Sequence, residues 1–163
     1  MKKIYVLPAI CMSIIIFIMG CKQTDSAAVT ETPAFDMAAA KIAIETQGSA
    51  FVNALNKGDA VGVSDCYTAD AKLMQPNGAS VSVRENIRQL VAEWIKSGVS
   101  TFSMRTVEVW GNENQMVAEE EWTFTDKDGK VLDKGKSLEL FKMEDGKWKL
   151  YRDCYNSDMP AKK

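Results

Sequence analysis

The chain contains no histidine. That removes the side chain most often used near neutral pH as a general base and as a metal ligand. Cysteine is scarce as well, four in 163 residues, and their scatter leaves no set of ligands for a zinc site. Neither a metal nor a cofactor is expected, so any acid–base chemistry would fall to Asp, Glu, Tyr or Lys. Charge of one sign is also lacking: 20 basic residues stand against 22 acidic ones. Such a balance gives no electrostatic footprint for nucleic acid.

Long hydrophobic runs are confined to the N-terminus. Lys2 and Lys3 precede an apolar stretch from Ile4 to Met19, broken only by Pro8 and Ser13. This is the layout of an export signal, short for a permanent span. It ends in Ile18-Met19-Gly20-Cys21, which resembles the lipobox of bacterial lipoproteins. The resemblance implies removal of residues 1–20 and a diacylglycerol on the Cys21 thiol; an uncleaved anchor helix is the alternative. Either way the domain is expected outside the cytoplasm, touching the membrane through its anchor alone. Lys22 stands where a retention-type aspartate would direct the protein to the inner membrane, which points to the outer one. Removal of the signal leaves 18 basic against 22 acidic residues, a balance of −4. Cys11 leaves with the signal, so only Cys66 and Cys154 remain, either bridged in an oxidising compartment or buried as separate thiols.

Residues 21–34 are small and polar and read as a flexible tether. A helical pattern follows from Phe35 to Lys57, with Met37, Ala40, Ile44, Gly48, Phe51 and Leu55 on one face. Gly58 is a stop, and Asp59 can cap a short second helix through Tyr67. Ala71–Met74 is a short strand closed by Pro76-Asn77-Gly78. Ser82-Val83-Arg84-Glu85 fits a capping box for a third helix, with Ile87, Leu90, Val91, Trp94 and Ile95 as its apolar stripe and Gly98 at its end. Beyond it, Thr101–Trp110, Gln115–Thr125, Val131–Met143 and Lys147–Asn156 are rich in β-branched and aromatic residues. Gly111-Asn112, Asp128-Gly129 and Asp145-Gly146 between them are hairpin chemistry. Helices first and a meander after predict an α+β fold, with about three helices packed on one face of a curved, mostly antiparallel sheet.

Several of these segments resemble a known family. Ala54-Leu55-Asn56-Lys57-Gly58-Asp59, Tyr67-Thr68-Ala69-Asp70-Ala71 and Asp145-Gly146-Lys147-Trp148-Lys149-Leu150 with Asn156-Ser157-Asp158 look like the SnoaL-like, ketosteroid-isomerase-homologue branch of the nuclear transport factor 2-like superfamily. The likeness covers residues 35–158 and leaves 159–163 as a tail. It implies a cone-shaped half-barrel whose concave face holds a small, partly apolar molecule, and frequent homodimers through the outer sheet face. In the isomerase branch an Asp-Pro pair after the first strand supplies the base. Here that pair is Gln75-Pro76, and glutamine accepts no proton, which disfavours isomerase activity.

Strand alternation supplies other candidates. Met116, Ala118, Glu120, Trp122 and Phe124 share one face, so Glu120 stands among aromatics although Glu119–Glu121 otherwise reads as a solvated run. A carboxyl there would have a raised pKa. Glu108 falls by the same alternation on the face of Phe102, Met104 and Trp110. Asp153 is read as a partner for a nearby backbone group or cation, with a catalytic role as the alternative. Tyr67, Met74, Gln75, Trp94 and Trp122 are candidates for lining the pocket, the first two and Trp94 equally as plain core. Three functions remain open: a binding module, a carboxylate enzyme of isomerase or cyclase type, and an envelope assembly protein. A buried carboxylate pair favours the second, a dry pocket the first and a filled cone the third.

Overall fold

The computed structural model describes residues 34–97 and 101–160; the expected signal, Cys21, the tether and the Gly98 stop lie outside them. The elements are α1 (Met37–Asn56), α2 (Ala60–Asp65), β1 (Tyr67–Met74), β2 (Val81–Ser82), α3 (Arg84–Lys96), β3 (Thr101–Gly111), β4 (Met116–Thr125), β5 (Val131–Glu144) and β6 (Lys147–Ser157). The six strands form one sheet in the order β2-β1-β6-β5-β4-β3, antiparallel except where β1 runs parallel to β6. α1 lies against β3 and β6, and α3 against β1. This is the expected α+β architecture.

Local chemistry explains the boundaries. Asp36 caps α1 by accepting the Ala39 N–H at 3.0 Å, and Gly58, at φ 71°, lets the chain leave it. Asp59 caps α2 through the Gly62 N–H. α2 ends at Asp65, however, and β1 begins at Tyr67 rather than Ala71, because Tyr67 pairs with Leu150 of β6. Nor does the Ser82 capping box form. Val83 is the N-cap of α3, at φ 77° and without a side-chain bond. Its carbonyl holds the Asn86 and Ile87 N–H groups, and its own N–H reaches Ala71 of β1. Pairing to the strand edge therefore overrides the local capping signal. At the far end, Asp145 and Gly146 both take positive φ, the condition for a two-residue hairpin between β5 and β6.

Two bulges set which side chains face the helices. In β3, Thr106 pairs with Glu120 and Glu108 with Glu119, so Val107 is the extra residue. In β6, Leu150 pairs with Phe141 and Arg152 with Leu140, so Tyr151 is extra. Each bulge shifts the alternation by one residue.

The inner face packs the core, with Ile44, Val63, Tyr67, Leu73, Ile87, Met116, Phe141 and Leu150 buried against one another. The outer face is partly apolar: Trp110 pairs with Val117 and Val117 with Leu140, and neighbouring Leu138 is 56% exposed.

Candidate functional site

β4 delivers Met116, Ala118, Glu120 and Trp122 to the buried face, as alternation predicts. Glu120 is 1% exposed. Its Oε1 accepts from the Thr106 hydroxyl at 3.0 Å, while Oε2 has no partner among the described residues. Burial above all, and secondarily the Glu45 charge, raise this carboxyl to about 7 against the pull of the Thr106 bond.

The register extends the acidic row across the next strands. Glu139 of β5 pairs with both Ala118 and Asp153, and Asp153 of β6 also pairs with Leu73 of β1. Both carboxyls are buried. Tyr67 donates its hydroxyl to Asp153 Oδ2 at 2.6 Å, and the Ser137 hydroxyl donates to Glu139 at 3.2 Å. Burial lifts Asp153 to about 6, against the Tyr67 bond. Burial and then the charges of Asp153 and Glu120 hold Glu139 well above the ordinary carboxylate range, against the Ser137 bond. The inner face thus carries three carboxyls on three adjacent strands.

Thr106 links this row to a cleft of about 320 Å³ between α1 and β3. Glu45, Gly48, Ser49, Val52, Asn53, Met104 and Thr106 line it. Asn56 holds its two walls together, donating to the Phe102 carbonyl at 2.9 Å and accepting the Phe102 N–H at 2.7 Å. Thr106 belongs to the wall and Glu120 stands directly behind it. An aromatic chain runs along the inner face: Trp94 against Tyr155, Tyr155 against Trp122, Trp122 against Phe124 and Phe124 against Phe102, with centroids 4.7–6.3 Å apart. The Trp122 indole N–H is buried without a partner.

Of the sequence candidates, Glu120 and Asp153 share the inner face. Glu108 does not: the β3 bulge turns it outward into solvent, and Thr106 takes the place beside Glu120. Asp153 pairs with a tyrosine hydroxyl rather than a backbone group or cation. Tyr67 is fully buried core, Met74 is half-buried opposite Cys154, and Trp94 and Trp122 belong to the aromatic chain. Gln75 spans its own turn, donating to the Ala79 carbonyl. Cys66 and Cys154 are both free, Cys66 buried but Cys154 exposed rather than buried as expected. Cys66 precedes the Tyr67–Leu150 pair and Cys154 lies four residues further along β6, about 13 Å at strand rise, beyond the reach of a disulfide. Glu139 was not singled out by sequence, because Leu138 and Leu140 beside it look like the inward pair.

The model of the SnoaL-like domain family matches residues 49–151. No curated protein matches the chain. Among solved structures, a domain of unknown function with a cystatin-like fold from Nostoc punctiforme superposes with a TM-score of 0.69 at 13% identity, over 77% of this chain and 81% of that one. A ketosteroid isomerase-like protein from Erwinia carotovora gives 0.62 at 22% identity, over 73% and 96%. A nuclear transport factor 2-like protein with a cystatin-like fold from Novosphingobium aromaticivorans gives 0.66 at 11% identity, over 76% and 85%. At these identities the likeness is one of fold.

Proposed function

Because the chain belongs to the SnoaL-like family of the nuclear transport factor 2-like superfamily, we propose that it binds a small, partly apolar molecule in the cleft between α1 and β3. The observation that carries this reading is Glu120, almost fully buried with one oxygen unpartnered. Leaving a buried acceptor unpaired costs about 1–3 kcal/mol, and a ligand entering past Thr106 would complete it. Ser49 and Asn53 supply polar contacts at the mouth, and Val52 and Met104 an apolar wall.

Native mass spectrometry of the mature chain from Lys22 tests this. The expected result is a mass excess that persists natively, vanishes on denaturation and is lost in Ser49→Trp, which fills the cleft from an exposed helix position. An excess that Ser49→Trp leaves unchanged places the ligand elsewhere and sinks the cleft reading.

A second reading, an acid–base enzyme, is favoured by the buried carboxyls Glu120, Glu139 and Asp153, the feature expected to mark an enzyme, and by Glu120 raised to about 7, where a carboxyl can both give and take a proton at physiological pH. The Gln75 position still argues against the isomerase's own base. Glu120→Gln separates the two readings: an enzyme keeps its ligand and loses turnover by about 10²–10⁴-fold, whereas a binding module has no turnover to lose.

The domain is further proposed to be held in the cell envelope, on the outer membrane, by lipid on Cys21, with a homodimer through the outer-face patch of Trp110, Val117, Leu138 and Leu140. The lipobox-like Ile18–Cys21 supports the anchor. Cys21→Ser is expected to abolish radiolabelled palmitate incorporation and release the protein from the membrane fraction; labelling that survives the change sinks the anchor.

A further inference from the structure

The cleft has one sign of charge. Among the described residues that line it none is basic, while Glu45 stands on its α1 wall and Glu120 behind Thr106 on its β3 side. Glu45 makes no ion pair among the described residues, and the nearby Arg105 of β3 is paired with Glu121. The two carboxyls feel each other across the gap, since the charge of Glu45 acts on Glu120. The remaining polar atoms are a threonine and a serine hydroxyl and the Asn53 amide, which are hydrogen-bonding partners of either sense. Val52, Met104 and the side-chain-free surface of Gly48 complete the wall. The unpartnered Oε2 of Glu120 is the second sign of a missing group, since a buried acceptor calls for a donor.

From these placements we propose that the ligand is a monocationic amine with an apolar body, its ammonium held between Glu45 and the Thr106–Glu120 pair and its hydrocarbon against Val52 and Met104. This deepens the binding reading above and rests on it. An ammonium offers only donors, which matches a wall that carries the Glu45 carboxyl and, behind Thr106, the buried carboxyl of Glu120. A carboxylate or phosphate would meet the like charge of Glu45, and of Glu120 wherever it is ionised, with no basic residue in the lining to offset it. A neutral alcohol could reach Thr106 but would leave Glu45 unpaired. Ammonium binding also favours the ionised form of Glu120, so the amine and the proton compete for the same carboxyl.

The experiment compares three probes sharing one hydrocarbon frame, phenethylammonium, phenethyl alcohol and phenylacetate, by ligand-observed NMR titration of the full-length protein in detergent. The expected order is phenethylammonium tighter than phenethyl alcohol by about tenfold or more, with no saturable binding of phenylacetate. Glu45→Gln, at an exposed helix position, is expected to weaken phenethylammonium about fivefold and leave phenethyl alcohol unchanged. If the alcohol binds as tightly as the ammonium, if phenylacetate binds best, or if Glu45→Gln leaves the ammonium unaffected, the amine inference falls while the cleft reading stands. If none of the three binds at millimolar concentration, both fall.

Discussion

The domain is expected to melt about 10 °C higher near pH 5 than near pH 8, the reverse of a protein whose carboxylates are all stabilised as anions. The cause is the acidic row on the inner face. Glu120, Glu139 and Asp153 all have folded pKa values raised by burial. A carboxyl raised in the folded state binds its proton there while the unfolded chain has already released it. Stability then falls as pH climbs from the unfolded value toward the folded one. For Glu120 that window runs from 4.5 to about 7, and at 1.36 kcal/mol for each pH unit the loss across it is about 3 kcal/mol. Asp153, lifted from 3.8 to about 6, acts in the same direction over a slightly lower window. Its effect is shared with Glu139 and is not added separately. The opposite contribution comes from Glu144, where the Ala69 N–H, Arg84 and Lys149 outweigh burial, and from Asp70, lowered chiefly by Lys142. Their stabilisation is lost only as pH falls below the ordinary carboxylate range, so the maximum sits near pH 5. Glu120→Gln should flatten the slope, leaving the variant more stable than the parent near pH 8. Calorimetric melting over this range is the measurement. A melting temperature that is level or rises between pH 5 and pH 8 would show that the three carboxyls are ionised and compensated in the fold.

The fold could be read from the sequence because its signals are local and agree with one another. The Gly58 stop, the Asp59 cap and the Asp145-Gly146 hairpin each fix a boundary within a few residues. The inward face of β4 was legible for a similar reason, since alternation runs unbroken from Met116 to Phe124. The rest of the site depends on two bulges. Counting from Trp148 and Leu150 puts Arg152 inward, yet the extra residue Tyr151 brings in Asp153. Counting from Phe102 and Met104 puts Glu108 inward, yet Val107 brings in Val109 instead. A bulge here is fixed by the pairing of distant strands, and neither Val107 nor Tyr151 carries a glycine to announce it. Glu139 was hidden by a different effect. β5 turns Leu138 outward and Ser137 and Glu139 inward, so hydrophobicity alone assigns its faces backwards. That inversion is what a sheet gives when its inner face holds polar chemistry and its outer face is an apolar surface.

Replacing Gly135 by alanine is expected to cost about 3 kcal/mol, or about 10 °C in melting temperature. Gly135 lies on β5 between Trp122 of β4 and Ser157 of β6. A Cβ built there would stand 1.9 Å from the Asn156 carbonyl oxygen and 2.5 Å from Trp122 Cζ2. The first contact is with backbone, so no rotamer change relieves it and the β5–β6 pairing has to move. The second displaces an indole whose edge-to-face contacts run on to Tyr155 at 5.8 Å and from there to Trp94 at 6.3 Å. The change should therefore alter tryptophan fluorescence and near-ultraviolet dichroism as well as stability. Gly129→Ala is the control. Gly129 sits at φ +81° with nothing within 4 Å of the added carbon, so it carries the backbone strain without the collision and should cost only about 1 kcal/mol. Equal losses in the two variants would mean that close approach at Gly135 contributes nothing. A larger loss at Gly135 would tie the aromatic chain to that one absent side chain, since only a residue without Cβ leaves room for Trp122 Cζ2 against β5.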